Sequence, residues 1–157
     1  MTLLTIGSQA PDFQSKDQND QIVQLSNYRG KKVALYFYPK DDTPGCTKQA
    51  CNLRDNYSTL LDNNIQVIGV SVDSPESHRR FIQKHGLPFP LVADTEQQIV
   101  KMYQVWGEKN NYGKKYIGTH RVTYLIDEQG IIQYVFPKIQ TENHAQQILT
   151  VTLTPKS

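Results

Sequence analysis

Two cysteines are the residues of this chain whose type and spacing most clearly suggest chemistry. Cys46 and Cys51 are the only cysteines among 157 residues, and both lie in the nonapeptide TPGCTKQAC, which begins at Thr43. In a reducing compartment, a close pair of cysteines is more often catalytic or metal-binding than a structural disulfide. The pair therefore predicts thiol chemistry at residues 43–51.

The residues around Cys46 predict that it lies in the first turn of a helix. Thr43 is a suitable N-cap and Pro44 a suitable first helical residue, which makes Cys46 the third. Backbone N–H groups of a first turn lack intrahelical acceptors, and the helix dipole is positive there, so a thiolate is favoured. We expect Cys46 to be the nucleophile, with the Thr43 hydroxyl bonded to the Cys46 N–H or to the thiolate and its substrate.

The spacing of the cysteines has a geometric consequence. Two Cα atoms five residues apart in an α-helix are separated by about 8.7 Å and differ by about 140° in azimuth. A disulfide needs a Cα separation of roughly 4.4 to 6.8 Å, so Cys46 and Cys51 cannot bond while the helix is intact. Because TPGCTKQ is a weak helix former, we expect oxidation to be coupled to unwinding of the first turn.

The pair admits several other interpretations. Cys46 could be a small buried hydrophobe with Cys51 as an incidental neighbour. A zinc site is disfavoured because C-x4-C is an uncommon ligand spacing and no two of the histidines form a recognisable partner pair: His78, His85, His120 and His144. A disulfide reductase of thioredoxin type usually carries C-x-x-C. A non-catalytic redox sensor or holdase, switched by the same disulfide, is the alternative function.

The hydrophobic pattern predicts the elements that position these thiols. A buried strand, Lys32 to Pro39, leads through a polar turn into the cysteine helix, whose apolar stripe continues to about Asn63. The next strand spans Ile65 to Val72, and the helix after it has Ser74 as N-cap and Gly86 as its stop. Two strand-helix units in succession indicate a parallel part of a sheet.

The second half of the chain predicts further elements. Asp94 with Gln97 resembles a capping box for a helix running toward Trp106, and residues 107–116 are predicted to form a mobile surface loop. Residues 121–136 read as a β-hairpin, and residues 143–151 as a final helix. Together these elements predict a single α/β domain, 1–157, of thioredoxin-like fold: a mixed central sheet flanked by helices on both faces, with an N-terminal extension.

Composition excludes several classes of partner. The formal net charge is only +2, from 17 basic and 15 acidic residues, so no strong field attracts nucleic acid or anionic lipid. The N-terminus reaches Gly, Ser and Pro before any apolar segment of signal-peptide length, and no stretch approaches the roughly 20 apolar residues of a membrane span. We therefore expect a cytoplasmic protein that binds neither nucleic acid nor membranes.

Four blocks of sequence resemble the peroxiredoxins, and specifically the bacterioferritin comigratory protein or peroxiredoxin Q subfamily. In chain order they are GSQAPDF, YFYPKDDTPGCTKQAC, VIGVSVDSPESHRRF and GTHRVTYLIDEQGII. The pattern P-x-x-x-T-x-x-C, here Pro39, Thr43 and Cys46, is specific in a strand-loop-helix context, and the closely following Cys51 indicates the subfamily.

The resemblance implies a role for each of five residues. Cys46 would be the peroxidatic cysteine that becomes a sulfenic acid, and Cys51 the resolving cysteine that closes an intramolecular disulfide. Thr43 would hydrogen-bond thiolate and peroxide, Pro39 would shield the sulfur from water, and Arg121 would hold the thiolate and polarise the O–O bond. The strand pattern agrees for Arg121, because it shares a face with buried-type positions 123 and 125.

The resemblance also implies an activity and its partners. The expected enzyme is an atypical 2-Cys, thioredoxin-dependent peroxidase that reduces hydrogen peroxide and organic hydroperoxides without metal, haem or flavin. Its reductant would be thioredoxin or a glutaredoxin-like dithiol protein, and the protein is expected to be a monomer. His120 is predicted to be structural or exposed, and Tyr36, Tyr38 and Trp106 to pack in or near the core.

Overall fold

Strands make up the centre of the protein. The computed structural model describes residues 2–153; residue 1 and residues 154–157, which the single-domain prediction also covers, lie outside the described part. The strands are β1 (Gln14–Lys16), β2 (Ile22–Gln24), β3 (Lys32–Phe37), β4 (Ile65–Ser71), β5 (Leu91–Ala93), β6 (Trp106–Asn111), β7 (Lys114–Thr119), β8 (Val122–Ile126) and β9 (Ile132–Phe136).

Five of these strands form one sheet in the order β5-β4-β3-β8-β9. Strand β4 is parallel to both β3 and β5, whereas β8 is antiparallel to β3 and to β9. Residues 127–131 connect β8 to β9 and complete the hairpin predicted for residues 121–136. The predicted mixed sheet is confirmed: helices connect the parallel strands, a tight turn joins β8 to β9, and the antiparallel β3–β8 pair joins distant parts of the chain.

The helices cover both faces of this sheet. They are α1 (Pro44–Asp55), α2 (Tyr57–Asp62), α3 (Pro75–His85), α4 (Gln98–Met102) and α5 (His144–Leu153). Side chains of β3 alternate between two core clusters: Leu35 lies in one with Val100 of α4, and Tyr36 lies in the other with Cys46 of α1. Helices α3 and α5 also contribute to the second cluster. Within residues 2–153, no helix is long and apolar enough to span a bilayer.

The helix predicted to run to Asn63 is in fact broken at Asn56. That residue has φ −110° and ψ 10°, and its side-chain amide donates to the carbonyl of Asn52 at 2.8 Å. An asparagine side chain that bonds the backbone competes with the helical ladder, so α1 ends at Asp55 and α2 starts at Tyr57. The break gives the cysteine helix its own short length.

Helix α3 begins after Ser74 and ends before Gly86, as predicted. The Ser74 hydroxyl accepts the N–H of Ser77 at 3.1 Å, and Gly86 adopts φ 61°, a left-handed conformation that glycine tolerates without a Cβ penalty. The region of Asp94 differs from its prediction. Helix α4 begins only after Gln97, which has φ 62°, and the Asp94 carboxylate accepts the N–H of Val100 at 2.9 Å.

The segment predicted to be a mobile loop, residues 107–116, is a second hairpin. Strands β6 and β7 pair antiparallel from Trp106 opposite Thr119 to Asn111 opposite Lys114. The two turn residues, Tyr112 and Gly113, both have positive φ, at 52° and 83°, as a type I′ turn requires. The polar composition concealed the strands, although glycine at the second turn position was a signal for this hairpin.

The N-terminal extension packs against the same domain. Strands β1 and β2 form an antiparallel pair, and Phe13, Val23 and Leu25 enter the core cluster that holds Leu35. The N–H of Gly7 donates to the carbonyl of Ile132 at 2.8 Å, which attaches the extension beside β9. The extension therefore completes one face of the core and leaves the opposite face to α1, α3 and α5.

Candidate active site

The thiol of Cys46 lies inside the first turn of α1. Thr43 precedes the helix with φ −91° and ψ 155°, and the first helical bond runs from the N–H of Thr47 to the carbonyl of Thr43 at 2.8 Å. The N–H groups of Gly45 and Cys46 therefore precede the helical ladder. Cys46 is buried, with 1% of its surface exposed, whereas Cys51 is partly exposed, and both thiols are free.

A guanidinium group meets the buried sulfur. Nη2 of Arg121 lies 3.3 Å from Sγ of Cys46, and Nη1 donates to Oε1 of Gln49 at 2.7 Å. Arg121 stands directly before β8 and is 75 residues away from Cys46 in the sequence. The sheet thus places a permanent cation on the sulfur, and a thiolate at this position is stabilised by a charge-assisted hydrogen bond.

The close approach of Arg121 depends on Gly45. A Cβ added at residue 45 would lie 3.1 Å from Nη2 of Arg121, closer than most real Cβ contacts. The glycine next to the nucleophile therefore leaves room for the guanidinium. It also weakens the first turn of α1, since glycine costs a helix interior about 1 kcal/mol relative to alanine.

Gln49 is a site residue that was not predicted from the sequence. It is completely buried, it follows Cys46 by three positions, and it therefore lies on the same side of α1. Its amide oxygen fixes Arg121 without contributing a negative charge, so the positive charge of the guanidinium stays available to the sulfur. The i, i+3 spacing from Cys46 was the available signal.

The hydroxyl of Thr43 does not bond as expected in this state. It donates to the carbonyl of Lys40 at 2.9 Å, and the side chain makes no capping bond to α1. The cause is the turn formed by residues 40–43, in which Asp42 has φ 59° and brings the Lys40 carbonyl back toward Thr43. Because its hydrogen is donated to Lys40, the hydroxyl oxygen faces other partners as an acceptor.

Pro39 lines a groove beside the loop that precedes α1. The groove has a volume of about 310 Å³, and its walls come from the β6–β7 hairpin and the ends of β3 and β4; among its lining residues are Lys40, Val72, Trp106, Lys109 and Tyr116. Trp106 also packs against the core cluster of Leu35, in agreement with its predicted packing role. The hairpin that replaces the predicted loop therefore forms one wall of an approach to Pro39.

Lys109 is the cation of this groove. Its ammonium donates to the carbonyl of Thr119 at 2.9 Å and lies 6.0 Å from the ring centroid of Tyr116. Partial burial, followed by the positive charge of Arg121, lowers the pKa of Lys109, while the negative charge of a Cys46 thiolate acts in the opposite direction. The groove and the thiol site therefore belong to one electrostatic environment.

The histidines near the site have structural roles. Nε2 of His120 faces the carbonyl of Glu108 at 3.0 Å, as a structural or surface residue would. His144 is buried behind β8, where Nε2 lies 2.7 Å from the Thr123 hydroxyl and Nδ1 lies 2.8 Å from Oε1 of Gln147. Burial first, and then the charge of Arg121, lower the pKa of His144 to about 4, so it is neutral at physiological pH.

One group of described residues brings three metal-ligating atoms together, from Asp41, Asp73 and His78, all within 4.8 Å of one another. Nδ1 of His78 lies only 2.6 Å from Oδ2 of Asp41, which is a hydrogen-bond distance. Tyr38 donates to the other oxygen of Asp41 at 2.6 Å. The protein itself satisfies these groups, so they form a buried hydrogen-bond network rather than a cation cage.

Comparison with known proteins gives one family. The model of the AhpC/TSA family matches residues 6–135. The chain is 44% identical to Peroxiredoxin Bcp of Escherichia coli over 149 residues, covering 95% of this chain and 96% of that protein. It is 42% identical to Peroxiredoxin Bcp of Bacillus subtilis over 146 residues, covering 93% of each.

Solved structures agree with the sequence comparison. A cysteine-to-serine mutant of PrxQ from Xylella fastidiosa superposes with a TM-score of 0.89, at 30% identity over 96% of both chains. Peroxiredoxin Q of Xanthomonas campestris superposes with a TM-score of 0.83, at 31% identity over 89% of both chains. A structure of Xanthomonas campestris bacterioferritin comigratory protein, from work on its alkyl peroxide reduction activity, superposes with a TM-score of 0.83, at 31% identity over 89% of both chains.

Proposed function

Since this chain belongs to the AhpC/TSA family, and within it to the peroxiredoxins of the Bcp and PrxQ type, we propose that Cys46 is the nucleophile of its thiol peroxidase reaction. The peroxidase activity follows from the family. The observation that supports the assignment to Cys46 is the 3.3 Å contact between its buried sulfur and Arg121. Cys51 has more solvent contact, and among the described residues Arg54 acts on it through its charge without a hydrogen bond to its sulfur.

The first step is attack of the Cys46 thiolate on one oxygen of a hydroperoxide, ROOH. An S–O bond forms while the O–O bond breaks, and the electron pair of the O–O bond leaves with RO⁻. The leaving group takes up a proton to become ROH, and the sulfur is left as sulfenic acid. Hydrogen peroxide gives water, and an organic hydroperoxide gives an alcohol.

Arg121 acts in both the ground state and the transition state of this step. In the ground state Nη2 stabilises the thiolate, and in the transition state the same cation faces negative charge that moves toward the leaving oxygen. A donor that is held in place before the reaction needs no reorganisation, and one such donor is typically worth about 3 to 4 kcal/mol in catalysis. The bond from Arg121 to Gln49 holds it there.

Thr43 and Pro39 prepare the space around the sulfur. Because the Thr43 hydroxyl donates to Lys40, its oxygen is oriented to accept the O–H hydrogen of the peroxide. Pro39 lies between β3 and α1 and has no N–H, so it offers shielding without a competing donor. The groove next to Pro39 gives an organic hydroperoxide a place for its R group.

Cys51 is the proposed resolving cysteine. Its sulfur attacks the sulfenic sulfur of Cys46, an S–S bond forms, and the hydroxyl group leaves as water. Both residues lie within the single helix α1, so this attack requires its first turns to unwind. Pro44 and Gly45 at the start of α1 keep the cost of unwinding low.

The disulfide must then be reduced to complete a cycle. A dithiol protein of thioredoxin or glutaredoxin type attacks it, a mixed disulfide forms, and the second thiol of the reductant releases both cysteines. The complete cycle uses two protein thiols and an external dithiol, and it includes no metal, haem or flavin. We further propose that the protein works as a cytoplasmic monomer, which sedimentation at several concentrations can test.

Steady-state turnover distinguishes this cycle from a redox sensor or holdase. Peroxide consumption is measured with wild type and with Cys46→Ser, using a thioredoxin system and, separately, a glutaredoxin–glutathione system. We expect wild type to turn over repeatedly with at least one of them, with no turnover by Cys46→Ser. Rapid oxidation in a single turnover without recycling by either system would favour the sensor.

A further inference from the structure

The loop between β3 and α1 is held by one buried carboxylate. Asp41 is 7% exposed; its carboxylate accepts the Tyr38 hydroxyl at 2.6 Å and the Ser77 hydroxyl at 2.8 Å, and Oδ2 lies 2.6 Å from Nδ1 of His78. Tyr38 follows the last residue of β3, and the other two partners lie in α3. The carboxylate therefore ties the loop to two rigid elements.

The backbone of the same residue is held separately. The N–H of Asp41 donates to Oδ2 of Asp73 at 2.9 Å, and the Ser71 hydroxyl donates to that same oxygen at 2.7 Å. The neighbouring Asp42 pairs with Lys84 at 2.9 Å, but both side chains are largely exposed, so that pair contributes little. Residue 41 is therefore the fixed point of the loop.

His78 completes the arrangement from the interior. It is completely buried, and Nε2 donates to the carbonyl of Val92 at 3.0 Å. With that nitrogen occupied, Nδ1 has Asp41 as its hydrogen-bond partner at 2.6 Å. Removing either partner leaves a buried polar group without its complement, which costs far more than losing an exposed pair.

We propose that Asp41, held by His78, is a positioning residue of the peroxidatic site that sets how readily the first turn of α1 unwinds. This inference rests on the proposed cycle. Pro39 and Thr43 each lie two residues from Asp41, and α1 begins one residue after Thr43. Fixing residue 41 therefore fixes both the shielding proline and the point where unwinding must stop.

The anchor leaves enough chain for the disulfide to form. Cys46 follows Asp41 by five positions, and five extended residues can span up to about 17 Å. A second anchor lies just beyond Cys51, where Oδ1 of Asn52 accepts the N–H of Ala145 in α5 at 2.7 Å. Unwinding is thereby confined to residues 42–51, and the sheet and α5 keep their places.

Loss of the anchor has two opposite consequences. The loop with Pro39 and Thr43 loosens, so attack on the first peroxide slows. The folded form of the first turn loses support, so Cys51 reaches the sulfenic sulfur more readily. The competing reaction, Cys46–SOH with a second ROOH to give Cys46–SO₂H and ROH, needs the folded site and therefore declines.

The test compares wild type with Asp41→Asn, which keeps the size of the side chain but removes its charge. The double variant Asp41→Asn/His78→Gln covers the case in which an unpaired buried His78 prevents folding. The matched control is Val23→Ala, which opens the core cluster on the opposite face of the sheet. Each reduced protein is mixed with hydrogen peroxide, quenched with an alkylating reagent, and its disulfide and sulfinic fractions are read by intact mass.

We expect an Asp41 variant to oxidise about tenfold more slowly than wild type, as a displaced reacting geometry would, and to form less sulfinic acid at high peroxide. Val23→Ala should lower the melting temperature comparably and leave both readouts within about twofold of wild type. An Asp41 variant whose rate and sulfinic fraction match those of Val23→Ala would overturn the inference. Absence of oxidation in wild type would instead overturn the proposed function.

Discussion

Gly45 and Arg121 are in near contact: a Cβ at residue 45 would lie 3.1 Å from the Nη2 that reaches Cys46. Neither residue could be substituted without affecting the other. Because residue 45 has no side chain, Arg121 has room to approach Cys46. The same lack of a side chain makes the first turn of α1 more flexible. These two effects can be separated by experiment.

Gly45→Ala is expected to slow both halves of the cycle. The new methyl group displaces the guanidinium by a few tenths of an ångström, which weakens its bond to the sulfur and reduces the oxidation rate severalfold. Alanine also stabilises the helix by about 1 kcal/mol, so closure of the disulfide slows by roughly fivefold. Stopped-flow oxidation and timed alkylation measure the two rates; unchanged oxidation together with faster closure would contradict both reasons.

Gln49→Leu tests the support of Arg121. The guanidinium loses a charge-assisted bond inside the protein, which is worth about 1.5 to 3 kcal/mol, so we expect oxidation of Cys46 to slow by at least about tenfold. Lys48→Gln is the control on the same helix, because Lys48 is exposed and its pair with Glu142 is weak. Equal oxidation rates in the two variants would show that Gln49 does not position Arg121.

His144 predicts a dependence of stability on pH. Its pKa is lowered from 6.5 to about 4 by burial, so below pH 6.5 the unfolded chain takes up a proton that the folded protein excludes. The free energy of unfolding should therefore fall as the pH decreases from about 6.5 to 4, by up to about 1.4 kcal/mol per pH unit from this residue. Above pH 6.5 His144 makes no contribution to the slope.

His144→Gln provides the measurement, because glutamine cannot titrate. Urea unfolding of wild type and variant at a series of pH values gives the difference between their stabilities. We expect that difference to shrink steadily as the pH falls below 6.5, since only wild type is destabilised by excluding the proton. Two parallel profiles would mean that His144 is not kept neutral by the fold.

Local chemistry predicted the parts of the site that are close in sequence. The cap formed by Thr43 and Pro44 placed Cys46 in a first helical turn, and the strand before it was evident from its apolar residues. The contact between Cys46 and Arg121 spans 75 residues, so periodicity alone could only give Arg121 an inward-facing position. The resemblance to peroxiredoxins supplied its role, and the geometry is compatible with that role.

The parts that sequence reasoning missed depend on tertiary contacts. Asn56 ends α1 through a side-chain bond, and the β6–β7 hairpin is rich in polar residues, with its pairing set by the turn at Tyr112. Asp41 looked like one member of a polar turn because its partner His78 lies 37 residues away. Thr43 precedes the first helical residue of α1, as predicted. Its hydroxyl, however, donates to the nearby carbonyl of Lys40.

The most direct test of the central claim is intact-mass analysis after one equivalent of hydrogen peroxide, with quenching by an alkylating reagent within seconds. Wild type should lose both thiols and two hydrogens as a disulfide. Cys51→Ser should trap one oxygen on Cys46, and Cys46→Ser should keep its remaining thiol. If Cys46→Ser reacts as fast as Cys51→Ser, or if both wild-type thiols stay alkylatable, Cys46 is not the peroxidatic nucleophile.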